Sequence, residues 1–122
     1  ALIVIDPAYE IKSDYAKVVH TLREAHRKFT YGTYALWYPM IERERIERLV
    51  RALEATKIPN IQRFELCVRP DSLNHGMTGA GMIVINPPWT LMATMRVLLP
   101  RLVAALGQEP GADYKADTIA AE

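Results

Sequence analysis

Asp6-Pro7-Ala8-Tyr9 brings a carboxylate, a proline-held carbonyl and an aromatic ring within four consecutive residues. Those groups suit one task. The lone pair of an exocyclic amino group on a nucleobase is delocalised into the ring, so a site that makes it nucleophilic must accept hydrogen bonds from both amino hydrogens. A carboxylate and a backbone carbonyl can do so, and an aromatic ring offers a stacking face to a base taken out of its helix. Asp6, the Pro7 carbonyl and Tyr9 are the candidate catalytic set. The same residues also make an ordinary strand-ending turn, so the surrounding elements must decide between the two.

Residues 1–5 are wholly apolar and end in three β-branched residues, which predicts a strand from the middle of a covered parallel sheet, stopped by Asp6-Pro7. The chain opens inside that strand with no methionine or polar lead-in, so it is expected to be part of a longer protein. Ser13 can cap a helix carrying Tyr15, Val18, Val19, Leu22, Ala25 and Phe29 at spacings of three and four, ending near residues 30–32. A second strand runs over 33–38, and Pro39 opens a helix marked by Ile41, Ile46, Leu49, Val50 and Leu53. Residues 61–68 and 82–85 are two further strands, and Thr90 caps a last helix with Leu91, Met95, Leu98, Leu102 and Leu106 on its apolar side, with Pro100 inside it. Residues 107–122 turn polar and small, a tail with poor order or one weak strand near 117–121. Successive strand-helix-strand units imply parallel neighbours, and the short, Gly-containing link before residue 82 returns the fourth strand antiparallel to the third. The fold class is α/β: half of an open, mostly parallel sheet with an antiparallel strand near one edge.

Ligands of open α/β sheets bind beyond the carboxyl ends of the parallel strands. Asp6-Pro7-Ala8-Tyr9 lies on that mouth, as does the loop holding Arg69, Asp71, Asn74 and His75. Lys12, following Tyr9, could reach a phosphate, and Arg69 and His75 could edge a substrate cleft; each could equally be a solvated surface residue. Asn86-Pro87-Pro88-Trp89 ends the reversed strand and belongs on the opposite rim, where a helix-entry turn with a packed Trp is expected.

Composition narrows the classes further. Half of the 122 residues are apolar and 24% charged, which excludes a disordered tail or a collagen-like repeat, and the lone Cys67 excludes a disulfide framework and suits a reducing cytosol. No apolar run is long enough for a membrane span, so a cytoplasmic protein without a membrane partner is expected. With 15 Lys plus Arg against 14 Asp plus Glu, overall charge gives no strong grip on nucleic acid.

Both proline motifs resemble the Asp/Asn-Pro-Pro-aromatic signature of enzymes that methylate exocyclic amino groups of bases. Ile-Asp-Pro-Ala-Tyr-Glu at 5–10, Tyr-Gly-Thr-Tyr-Ala-Leu-Trp-Tyr-Pro at 31–39, Leu-Glu-Ala-Thr at 53–56 and Gly-Met-Ile-Val-Ile-Asn-Pro-Pro-Trp at 81–89 occur in this order. Together, over residues 1–106, they resemble the carboxyl-terminal half of the RlmJ-like family, 23S ribosomal RNA adenine N6-methyltransferases also labelled as proteins of external DNA catabolism. The resemblance implies part of a Rossmann-like class I methyltransferase fold that uses S-adenosylmethionine, with Asp6 contacting both cofactor and target amino group. It implies ribosomal RNA as the partner, rRNA processing as the role, and a cofactor-binding glycine loop upstream, so that the isolated segment would be inactive. The family motif has Pro where this chain has Ala8, which relaxes the loop and keeps the Pro7 carbonyl. Gly79-Ala80-Gly81 cannot replace the glycine loop because it leads into a strand instead of a helix, and these glycines are expected in a turn or bulge. The alternative is a non-catalytic nucleic-acid binding or DNA-uptake protein on the same fold. The exposed first strand would also let the isolated segment self-associate.

His20, Arg23, His26, Arg27 and Lys28 sit near the end of the first helix, where cations complement the helix dipole, and no metal site is expected from the two histidines. The Glu42 to Arg48 charge run is expected as a solvated helix face, and Cys67 as a small buried residue.

Overall fold

The computed structural model describes residues 1–7, 13–71 and 76–122. Its strands are β1 (Leu2–Ile5), β2 (Thr33–Met40), β3 (Ile61–Cys67), β4 (Gly79–Ile85) and β5 (Asp113–Ala120), and its helices α1 (Ser13–Lys28), α2 (Arg43–Ala55) and α3 (Leu91–Leu106). The sheet order is β1-β2-β4-β3-β5. β1 and β2 pair in parallel, whereas β2–β4, β3–β4 and β3–β5 are antiparallel.

This sheet is more mixed than expected. β4 does return antiparallel to β3, but it enters the gap between β2 and β3 and lies in the sheet interior, not near an edge. The α2 crossover leaves one strand width vacant, and the short link from Val68 to Thr78 lets β4 fill it. Residues 107–122 are likewise more than a tail. Asp113–Ala120 forms a full edge strand on β3, from Cys67↔Asp113 to Ile61↔Ala120. Its polar residues fit an edge strand that is half solvated.

The helices cover the two faces unequally. α1 and α2 bury Val18, Leu22, Ile46, Leu49, Val50 and Leu53 against Tyr34, Leu36, Ile83 and Ile85, forming the larger core. α3 packs on the other face over Phe64 and Val84 through Leu99, with Met95 and Leu102 alongside. Spacings of three and four on each helix present one apolar stripe to the sheet. No helix among the described residues is long and apolar enough to cross a membrane. The apolar run of β1 forms the other sheet edge, where Leu2 and Val4 are exposed instead of covered.

Three local expectations change. Pro39 belongs to β2, paired with Ala80, and not to a helix start. β1 stops opposite Leu36, so among the described residues Pro39 is paired on the β4 side alone, a setting that tolerates a residue without an N–H. Thr90 occupies the helix-start position without a side-chain capping bond, and the turn is closed by Leu91 N–H donating to the Pro88 carbonyl at 3.0 Å. Gly79 and Gly81 are strand residues, not turn or bulge residues, and their lack of a side chain makes room for neighbours. A Cβ on Gly81 would overlap the phenol ring of Tyr38, which crosses β4 at that point.

Gly81→Ala therefore evicts a buried tyrosine. We expect it to lower unfolding stability by about 2–4 kcal/mol, combining overpacking with loss of the Tyr38 hydrogen bond. Urea denaturation measures this.

Candidate functional site

Strand direction sorts the turns onto two rims. β1, β2 and β3 point one way and β4 and β5 the other. Asp6-Pro7, the segment after Met40 and the residues after Cys67 share the rim at the carboxyl ends of the parallel strands. The turns at 29–32, 57–60 and 86–89 share the opposite rim.

Asp6 is exposed at the end of β1, and Pro7 is half-buried beside it. Tyr9, Lys12, Asn74 and His75 lie outside the described residues. Arg69 is half-buried, and its Nη2 donates to the Met77 carbonyl at 2.7 Å, which ties together the ends of the link between β3 and β4. It borders an open cavity of about 470 Å³ that Arg43, Glu65, Asp71 and Lys115 also line. A neighbouring cavity of about 230 Å³ lies between Met40, Arg43, Asp71 and Thr78. Asp6 lines neither.

Beneath these cavities lies a buried network absent from the expectations. Glu65 is 1% exposed on the helix-covered face of β3. The Tyr38 hydroxyl donates to its Oε2 at 2.6 Å across Gly81, and Arg43 Nη1 donates to Oε1 at 2.7 Å and Oε2 at 3.0 Å. The same guanidinium reaches Asp71 Oδ2 through Nε at 2.8 Å. Arg43 thus fastens the start of α2 to β3 and to the loop at Asp71. Burial, reinforced by the adjacent Glu65 carboxylate, pushes the Tyr38 hydroxyl well above its usual range, so it acts as a donor only. Burial works against the Arg43 charge, but hydrogen bonds to Asp71 and Glu65 outweigh it and hold the guanidinium firmly protonated. A second pair lies further along β3. Arg63 donates to both oxygens of Asp117 on β5, at 2.9 and 2.7 Å, and this holds the Asp117 carboxyl below the usual range.

The Glu42 to Arg48 run is therefore only partly a solvated face. Arg48–Glu44 and Arg45–Glu42 are surface pairs, whereas Arg43 reaches inward to Glu65 and Glu47 pairs with Arg63. The available signal was alternation: Arg63 and Glu65 share a strand face with Ile61 and Cys67, so they point inward and require partners. Cys67 is buried, which raises its thiol pKa. Among the described residues no group of three His, Cys, Asp or Glu could hold a metal ion.

Asn86-Pro87-Pro88-Trp89 stands on the opposite rim, as strand direction requires. Trp89, however, is 91% exposed instead of packed, because the turn carries it beyond the end of the sheet. Asn86 has a left-handed φ of 54° and is bonded on several sides. Its backbone N–H donates to the Asn60 carbonyl at 2.9 Å, and its side-chain amide donates to Thr30 and Gly32 carbonyls at 2.8 and 2.9 Å.

Fold and rim together define an α/β protein that presents Asp6 and Pro7 at the carboxyl end of a parallel strand, the position where such sheets place their ligands. Residues 1–119 match the family model described as "Ribosomal RNA large subunit methyltransferase D, RlmJ", and the chain belongs to that family. It is 46% identical over 121 residues to the Haemophilus influenzae protein "Ribosomal RNA large subunit methyltransferase J", covering 99% of this chain and 43% of that one. It is 51% identical over 105 residues to the Escherichia coli K12 protein of the same name, covering 86% of this chain and 38% of that one. A crystal structure of protein LPL1258 from Legionella pneumophila matches with a TM-score of 0.84 at 32% identity, covering 96% of this chain and 43% of that chain. The chain thus spans less than half the length of these relatives. The match also runs past residue 106 to include most of β5.

Arg43→Met leaves Glu65 buried with only a hydroxyl partner. We expect a loss of about 3–5 kcal/mol in urea unfolding, most of which Glu65→Gln in the same chain restores by removing the uncompensated charge.

Proposed function

We propose that a protein carrying this chain methylates N6 of an adenine in 23S ribosomal RNA, taking the methyl group from S-adenosylmethionine. The observation that carries this reading is the exposed Asp6 followed by Pro7, at the carboxyl end of a parallel strand, in a chain of the large-subunit rRNA methyltransferase family. The Asp6 carboxylate and the Pro7 carbonyl accept the two amino hydrogens of the flipped adenine. This orients the nitrogen lone pair away from the ring and raises its nucleophilicity. Tyr9 stacks on the base, and Lys12, Arg69 and His75 border the path of the RNA. When bound, S-adenosylmethionine would supply an activated methyl group on its sulfonium, towards which Asp6 and the Pro7 carbonyl would orient the amine. Asp6 then stands next to the nitrogen that must release a proton.

The residues described here fit one edge of a cofactor site and not a whole cradle. Asp6 is available to the cofactor, whereas the space above Gly79 is taken by the Leu66 carbonyl and Cys67, and that above Gly81 by Tyr38. Both glycines are strand residues whose Cβ space is filled, so they make room for neighbouring protein atoms and not for a cofactor. Arg43 and Tyr38 act as positioning residues, holding the rim through Glu65 and Asp71 without reaching the base.

The test uses a chimera in which this chain replaces the matching 43% of the Haemophilus influenzae relative. Asp6→Ala in that chimera should reduce methyl transfer to 23S rRNA about a hundredfold or more, with S-adenosylmethionine binding measured separately by calorimetry. Transfer at an undiminished rate removes Asp6 from the mechanism. A chimera that binds DNA and shows no saturable heat with S-adenosylmethionine supports the non-catalytic binding module instead.

A further inference from the structure

The rim opposite Asp6 displays aromatic rings that the proposed reaction does not use. Tyr31 is 92% exposed, Trp89 91% and Phe29 44%. Large aromatic side chains usually hide most of their surface, and exposed ones mark binding surfaces. These rings stand on turns held by hydrogen bonds. The Asn86 amide donates to the Thr30 and Gly32 carbonyls, one on each side of Tyr31. Thr33 Oγ1 donates back to the Asn86 carbonyl at 2.7 Å, joining the turn before β2 to the turn after β4. The backbone at Trp89 lies within the turn closed by the bond from Leu91 N–H to the Pro88 carbonyl. The backbone carrying Tyr31 is thereby tied to the turn that carries Trp89.

The charge around the rings suits a polyanion. α1 ends at this rim with His26, Arg27 and Lys28 in its last turn. Arg27 shares its charge with Glu24 at 2.8 Å, while Lys28 has no ion pair among the described residues. α3 begins here with no acidic residue in its first turn, so the positive pole of its dipole is not neutralised from within the helix. Lys57 follows α2 on the same rim, where Glu54 and, after β5, Glu122 are acidic residues on the side away from α1. The chain as a whole is close to neutral, so this is a local feature and not a reflection of net charge.

We propose that this rim is a second RNA-binding surface, on which unpaired nucleotides stack against Tyr31 and Trp89 while their phosphates face Arg27, Lys28 and the start of α3. The proposal rests on RNA being the substrate class, as argued above. Base-on-aromatic stacking tolerates any base, so the surface grips a single-stranded segment flanking the target without reading its sequence. Thr30, Asn86 and Pro88 lie among the rings, so the rim is not a continuous apolar patch.

Trp37→Phe in the 122-residue chain leaves Trp89 as the remaining tryptophan. Titration with an unstructured oligouridylate at low salt should then quench its emission saturably, and the unsubstituted chain should show the same quench over the Trp37 signal. Tyr31→Ala should raise Kd about tenfold, and Lys28→Ala should reduce the salt slope by about 0.7, the share of one phosphate on a single strand. No saturable quench, an unchanged Kd in Tyr31→Ala, or quenching produced by raising chain concentration alone overturns the proposal; the last marks a contact between copies. Methyl transfer by the chimera separates the two readings. Intact transfer without oligonucleotide quenching discards the platform alone, whereas quenching alongside a chimera that transfers no methyl group keeps the platform and discards the reaction.

Discussion

A carboxylate enclosed within the sheet is expensive unless its oxygens are answered, and Glu65 is enclosed. Its position commits several elements at once. Tyr38 must cross β4 to reach it, which requires glycine at position 81. Arg43 must open α2 directly above it, and the second side of that guanidinium then captures Asp71 as the chain leaves β3. The parallel-strand rim consequently rests on a charged network joining β2, β3, α2 and the start of the following loop. A purely apolar core would leave the rim's loops less restricted.

The strand order gives two similarly spelled motifs different settings. Asp6-Pro7 follows a strand that points to the rim at the carboxyl ends of the parallel strands, while Asn86-Pro87-Pro88-Trp89 follows a strand that points the other way. Asn86 uses its amide to bind two carbonyls of a neighbouring turn, a structural task that a carboxylate could not perform because it donates nothing at neutral pH. Motif spelling alone would have favoured the second site; direction in the sheet favours the first.

Much of the architecture could be read from residue pattern. The stripes of α1 and α2, the apolar strands and the reversal after Cys67 follow from periodicity and from the length of the links. The placement of β4 between β2 and β3 could not be read, since pairing partners depend on the gap left by a crossover and not on local preference. β5 escaped because an edge strand can be as polar as a loop. Pro39 misled for a related reason: proline suits the first turn of a helix and an unpaired stretch of strand equally well. At the rim, the end of β1 at Asp6-Pro7 was legible because the apolar run stops there. The Tyr38–Glu65–Arg43 network was not, because Glu65 lies 27 and 22 residues from the partners that answer it. The exposure of Trp89 was hidden too, since ring type says nothing about whether a neighbour covers it.

The proposed placement of Asp6 against an adenine amine is open to direct observation. A crystal structure of the chimera with an S-adenosylmethionine analogue and an adenine-bearing RNA should show the Asp6 carboxylate within about 3 Å of the target N6, with the Pro7 carbonyl on its other hydrogen. An Asp6 carboxylate standing about twice that distance away, with another residue accepting from N6, would contradict the account.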